Sequence, residues 1–195
     1  MINPYVNTLG TAPRSIHKSV RVATHLTPVQ FCIENFNLTG VVEHGMGLGS
    51  TPYFHSVSTL TYLLSYENEA RWSHCPTCDA SDGGGLIHQI LPWTTPDEFV
   101  ASVRSLPMKL ESQVLGFVDG PGPERIPALR ELSRLRVSAL IYHDAETLTL
   151  AEREEIQACV PEYSIFQYIG ENPETLVCLR NNIEIPDLGS HYVTW

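Results

Sequence analysis

The stretch "GVVEHGMGLGST", residues 40–51, sets an acid, Glu43, two positions ahead of three alternating glycines, Gly45, Gly47 and Gly49. Glycines in a tight turn accept positive φ, and their missing Cβ atoms let a ligand approach the backbone. A helix that follows such a turn opens with N–H groups lacking intrahelical partners. Three further places carry groups with chemistry of their own. Glu67 and Asn68 end a second apolar run, Asp119 ends a later one in "FVDGPGPER", and His143-Asp144 ends another in "IYHDAE".

His143 is a candidate general base, because imidazole titrates near neutral pH. Asp119 and Asp144 are oxygen donors of the kind a hard cation prefers. Bland roles stand beside these. Asp119 could accept N–H groups of the Gly-Pro-Gly turn, Asp144 could cap the next segment, and His143 could be a satisfied structural histidine. Neighbouring residues on a strand point to opposite faces, so either His143 or Asp144 faces the pocket unless the alternation breaks at the strand end. Arg125 could clamp an anionic substrate through its planar fork or lie exposed on a helix. His55 reads as structural. Cys75-x-x-Cys78, with His74 and His88 nearby, is half a zinc site with no second pair. The plainer reading is a loop in which Asp82 could touch a ligand.

The elements that must position these groups alternate. Strand-like apolar runs occur at 40–45, 61–68, 86–93, 113–120 and 138–145. Several are apolar on successive residues, as strands covered on both faces are. Helical patterns lie between them at 51–61, 95–106, 123–136 and 148–160, the second capped by Thr95 and the third holding Pro127 early. The segments 163–170 and 175–181, joined by "ENPE", read as a hairpin. The expected class is α/β: a Rossmann-like, mainly parallel seven-stranded sheet, helices on both faces, and a C-terminal antiparallel hairpin.

The 195 residues suit one domain, read as an N-terminal cap or arm over 1–35, a core over 36–181 and a tail over 182–195. The stretch 14–25 is locally basic and reads as a solvated arm or a cover for the site mouth. A formal charge of −10 disfavours a duplex nucleic-acid partner. Five scattered cysteines argue against a disulfide framework. No signal-peptide pattern or membrane-length apolar run appears, so a cytoplasmic location is expected.

The pattern E/D-x-G-x-G-x-G, with Glu67 after the second strand and the terminal hairpin, resembles class I S-adenosylmethionine-dependent methyltransferases. The likeness spans roughly residues 36–181. "FVDGPGPER" and "IYHDAE" resemble the fourth and fifth strand ends of small O-methyltransferases. The resemblance implies S-adenosylmethionine as cofactor, bound through Glu43, Gly45, Gly47, Gly49, Glu67, Asn68 and Asp119, with Glu67 receiving the ribose hydroxyls. It implies a hydroxyl acceptor on a small molecule or a sugar or glycan, with His143, Asp119 and Asp144 as catalytic residues. By likeness to catechol-type enzymes, Asp119 and Asp144 would hold Mg2+. The family segment often reads Asp-Gly-x-His; here Asp119-Gly-Pro-Gly lacks that histidine. Aminopropyl transfer, cofactor cleavage, or non-catalytic binding of the cofactor or a nucleotide remain alternatives.

Overall fold

The computed structural model describes residues 25–47, 49–69, 85–171 and 173–195. All of the basic stretch 14–25 except His25 lies outside the described residues. So do His74, Cys75, Cys78 and Asp82.

Strand and helix alternate as the apolar pattern predicts. Helix α1 (Leu26–Phe36) leads into β1 (Gly40–His44), α2 (Ser50–Ser56), β2 (Tyr62–Tyr66) and β3 (Ile87–Leu91). Then come α3 (Pro96–Arg104), α4 (Leu110–Gln113), β4 (Val114–Val118), α5 (Gly122–Arg134) and β5 (Ala139–His143). A short 3-10 turn (Ala145–Thr147) precedes α6 (Leu150–Cys159), β6 (Tyr163–Tyr168), β7 (Thr175–Arg180) and β8 (Tyr192–Thr194). The sheet order is β3-β2-β1-β4-β5-β7-β6-β8. The β1 to β5 pairings are parallel, and β7, β6 and β8 are added antiparallel.

Four points differ from the expectation. The sheet has eight strands rather than seven, because residues 192–194 of the tail pair with β6. Helix α2 ends at Ser56 and not near 61, its chain turning out at Val57 with extended dihedrals. Pro127, expected early in its helix, lies inside α5, which already begins at Gly122. Strand β3 is not covered on both faces: it is the sheet edge, and Ile87 and Ile90 are exposed.

Period-two alternation sorts the core into two layers. Val41, Leu63, Leu115, Phe117, Ala139 and Ile141 pack under α1 and α2 with Leu26, Val29, Cys32, Ile33 and Phe54. Val42, Leu64, Val118, Leu140 and Tyr142 face α3, α5 and α6, meeting Phe99, Val103, Leu129, Leu132 and Ile156. Helix starts are fixed locally: Thr95 accepts Glu98 N–H at 3.2 Å, and Thr149 with Glu152 forms a reciprocal capping box. No helix among the described residues is long and apolar enough to cross a membrane.

Candidate functional site

The carboxyl ends of β1, β2, β4 and β5 lie side by side, the edge where ligands of open α/β sheets bind. Backbone bonds carry the parallel ladder past the strand ends. Gly45 N–H donates to Tyr66 at 2.9 Å and Asp119 N–H donates to His44 at 2.8 Å.

Gly45 is required at its place. Its φ is +89°, and a Cβ there would stand 2.4 Å from Gly120 Cα and N. Its missing side chain therefore lets the β1 turn lie on the β4 turn; the expected approach was that of a ligand. Gly47 differs, since a Cβ there would meet only Ser50 Oγ at 3.2 Å. Gly49 is the N-cap residue of α2.

Glu43 is fully buried. Ser50 Oγ donates to it at 2.5 Å, Thr51 Oγ1 at 2.9 Å and Ser65 Oγ at 2.9 Å. Thr51 Oγ1 also accepts Gly47 N–H at 3.2 Å. The carboxylate thus fastens the glycine turn and α2 to the sheet from below. Ser50 and Thr51 serve it, and no side chain caps α2. Burial pushes the Glu43 carboxyl up to about 7, against the pull of its three hydroxyl donors, with Asp119 adding a smaller push upward. Ser65 is also 2.9 Å from His88 Nε2, and His88 Nδ1 is 2.9 Å from His55 Nε2. A polar chain therefore runs from Glu43 through β2 and β3 to α2, and His55 is part of it. Burial lowers His88 to about 4, with His55 adding to the shift.

Glu67 reaches toward the glycine turn. Its Oε2 accepts Met46 N–H at 3.1 Å and its Oε1 accepts Glu69 N–H at 2.6 Å. A carboxylate offers about four lone-pair positions, so half its accepting capacity remains for hydroxyls. Asn68 beside it is exposed.

Asp119 and His143 come together because they share a phase. The register pairs Phe117 with Ile141 and Val118 with Tyr142. One step on, Asp119 and His143 fall on the same α1-side face as Phe117 and Ile141. His143 Nδ1 is 2.9 Å from Asp119 Oδ1. Burial opposes charge on His143, but the hydrogen bond and field of Asp119 outweigh it and raise its pKa. Asp119 is likewise penalised by burial, yet the His143 bond and charges hold its pKa below the usual carboxylate range.

Asp144 escapes the alternation that would turn it away. Its φ of 61° and ψ of 42° are left-handed, so the chain swings round and its Oδ1 lies 3.5 Å from His143 Nδ1. Its side chain caps nothing.

Arg125 is neither an exposed arginine nor a free clamp. Its side chain is 14% exposed. It donates to Gly120 O at 2.5 Å, His143 O at 3.0 Å and Asp144 Oδ2 at 2.9 Å, and reaches Asp119 Oδ1 at 3.5 Å. The guanidinium thus bridges the two carboxylates expected to hold Mg2+. A hard cation needs oxygen ligands around it, and a cation already lies between these, so the pair does not fit Mg2+.

One member was missed from the sequence. His25, just before α1, is 0% exposed and packs edge-on to His143 with ring centroids 4.6 Å apart. It also meets Phe117 at 4.8 Å. Burial pulls its pKa down to about 3, with Asp119 opposing the shift. Its local sequence holds no signal for this place, which only packing of α1 on the sheet creates.

No protein-family model matches the chain, and no curated protein matches it. Solved structures do. An O-methyltransferase from Bacillus cereus in complex with S-adenosylhomocysteine superposes with a TM-score of 0.52 at 10% identity, over 89% of this chain and 94% of that one. The N-methyltransferase NodS from Bradyrhizobium japonicum, with the same ligand, gives 0.51 at 13% identity over 93% and 94%. A DUF574 family protein from Streptomyces avermitilis gives 0.54 at 14% over 79% and 80%. The chain therefore has the fold of S-adenosylmethionine-dependent methyltransferases.

Proposed function

We propose that this protein is an S-adenosylmethionine-dependent methyltransferase acting on a hydroxyl of a small molecule or sugar. The observation that carries the reading is Glu67. It stands at the end of β2, bonded to the glycine turn through Met46 N–H, with lone pairs left for a diol.

Glu67 would accept the two ribose hydroxyls, with Asn68 beside it. The turn over Gly45, Gly47 and Gly49 would line the cofactor's other side, held in shape by Glu43 beneath it. When bound, S-adenosylmethionine supplies a sulfonium methyl, whose carbon–sulfur electron pair stays on sulfur as the acceptor oxygen takes the carbon. Methyl transfer is an in-line displacement, so most of what the protein supplies is alignment. Asp119 and His143 form the acceptor side. The imidazole, oriented by the carboxylate, draws off the proton the hydroxyl sheds. Arg125 and Asp144 position this pair by tying the β4 and β5 ends together. The metal once expected on Asp119 and Asp144 has no part in the reading.

Calorimetric titration with S-adenosylhomocysteine tests it. One ligand per chain is expected. Glu67→Gln keeps an acceptor for Met46 N–H but loses charge-assisted bonding worth about 1–2 kcal/mol, so affinity should fall on the order of tenfold or more. Absence of binding to the wild-type protein would refute the assignment.

A further inference from the structure

His25 is a buried polar side chain that the proposed chemistry leaves unexplained. It has no exposure, and neither ring nitrogen has a hydrogen-bond partner among the described residues. Leaving a buried polar group unpaired costs about 1–3 kcal/mol, and such a group calls for a ligand or a functional reason.

What surrounds it supplies the reason. One ligand atom each from His25, Asp119 and His143 lies within 4.8 Å of the others. The three arrive from separate elements: the residue before α1, the β4 end and the β5 end. They gather on one face, since Asp119 and His143 share the strand phase that α1 covers. Asp119 is the most exposed of the three, its side chain 16% exposed.

We propose that His25, Asp119 and His143 bind a divalent first-row transition ion, with Zn2+ and Co2+ as the species to test. Two imidazoles and one carboxylate suit such ions, whereas Mg2+ prefers oxygen throughout. Three protein ligands leave positions open, the pattern of catalytic rather than structural sites. Ligands about 2.0–2.1 Å from zinc stand roughly 3.4 Å apart in a tetrahedron, and the three ligand atoms here lie within 4.8 Å of one another, so small side-chain shifts bring them to one ion. Arg125 leans toward Asp144, at 2.9 Å against 3.5 Å for Asp119.

This proposal rests on the reading of Asp119 and His143 as the acceptor side, and it alters how that side works. An ion there lowers the pKa of an oxygen bound at its open position. The acceptor would then shed its proton to solvent water under the cation's field, with His143 serving as a ligand.

The test uses chelator-stripped full-length protein, titrated with Zn2+ by calorimetry and with Co2+ by visible absorption. One ion per chain is expected, with no thiolate-to-cobalt charge-transfer band and no heat from Mg2+. His25→Ala and Asp119→Asn should each weaken Zn2+ on the order of 100-fold. Thermal unfolding of each variant establishes that it is folded, and a parallel titration with S-adenosylhomocysteine reads the cofactor site separately. A protein that binds S-adenosylhomocysteine but no stoichiometric Zn2+ or Co2+ overturns the metal site and leaves the methyl-transfer reading standing. A thiolate band, or wild-type Zn2+ affinity in folded His25→Ala, overturns it by placing the ion elsewhere.

Discussion

Replacing Glu43 by glutamine should remove a specific piece of the protein's pH dependence. In the folded chain the Glu43 carboxyl is held at about 7, from an ordinary value of 4.5. That displacement corresponds to about 3 kcal/mol, at about 1.4 kcal/mol per pH unit. Between these pH values the folded state keeps a proton that the unfolded state has released. Stability from this group is therefore complete below about 4.5, falls as pH rises, and is fully lost above about 7. Other groups titrate nearby: His44 and His88 are held down to about 4 by burial, and their effect has the opposite sign. The difference between wild type and Glu43→Gln cancels them. Glutamine can accept from one hydroxyl and donate to another, since the Ser50, Thr51 and Ser65 hydroxyls rotate. Urea unfolding followed by tryptophan fluorescence at pH 4.5 to 8 gives both curves. Wild type minus variant should fall by about 3 kcal/mol across the window, which is roughly 6–12 °C in melting temperature for a chain of this size. Parallel curves would refute the argument that a buried, serine-ringed carboxyl carries this load.

Gly45→Ala should destabilise by more than about 1 kcal/mol, because it places a Cβ at φ +89° and 2.4 Å from the Gly120 backbone; denaturant unfolding measures this, and an unchanged midpoint would refute the close approach. Arg125→Met should cost on the order of 3 kcal/mol near pH 7 by taking the guanidinium from Asp144 and the donor from Gly120 O and His143 O. Arg125→Lys should restore only part of that loss, since one ammonium cannot reach Gly120 O, His143 O and Asp144 together as the planar fork does; full recovery in chemical denaturation would argue against the bridge.

What the sequence disclosed depended on whether a feature was local. The strands were legible because burial on both faces leaves unbroken apolar runs, as in Val41-Val42 and Leu140-Ile141. The edge strand β3 carries nearly the same composition, so its exposure could be read only from its position in the sheet. Residues 192–194 are too few to give a periodic signal, and they become a strand only because β6 offers them an unpaired edge. Leu26, Val29, Cys32 and Ile33 do show helical spacing, although their segment was read as an arm. The site followed the same division. Glu43, Glu67, Asp119 and His143 were legible as residue types at strand ends. That Glu43 faces inward depended on Ser65 lying across from it in the β1–β2 register, and the reach of Arg125 depended on β4 and β5 being neighbours.

The close contact of Gly45 with Gly120 explains why the two halves of the edge belong to one site. The β1 turn carries the glycine loop and, through Met46, the bond to Glu67. The β4 turn carries Asp119, and through Arg125 it is fastened to the β5 end. With side chains at 45 or 120 the turns would be forced apart, since a Cβ on Gly120 would meet the His44 ring at 2.4 Å. A methyl donor and acceptor must be held within about 3–3.5 Å for in-line transfer. A separation imposed by one added carbon would be a large fraction of that distance. The first glycine of the alternating series is therefore explained by backbone meeting backbone, and the proposed cofactor and acceptor sides would be set against each other before any ligand arrives.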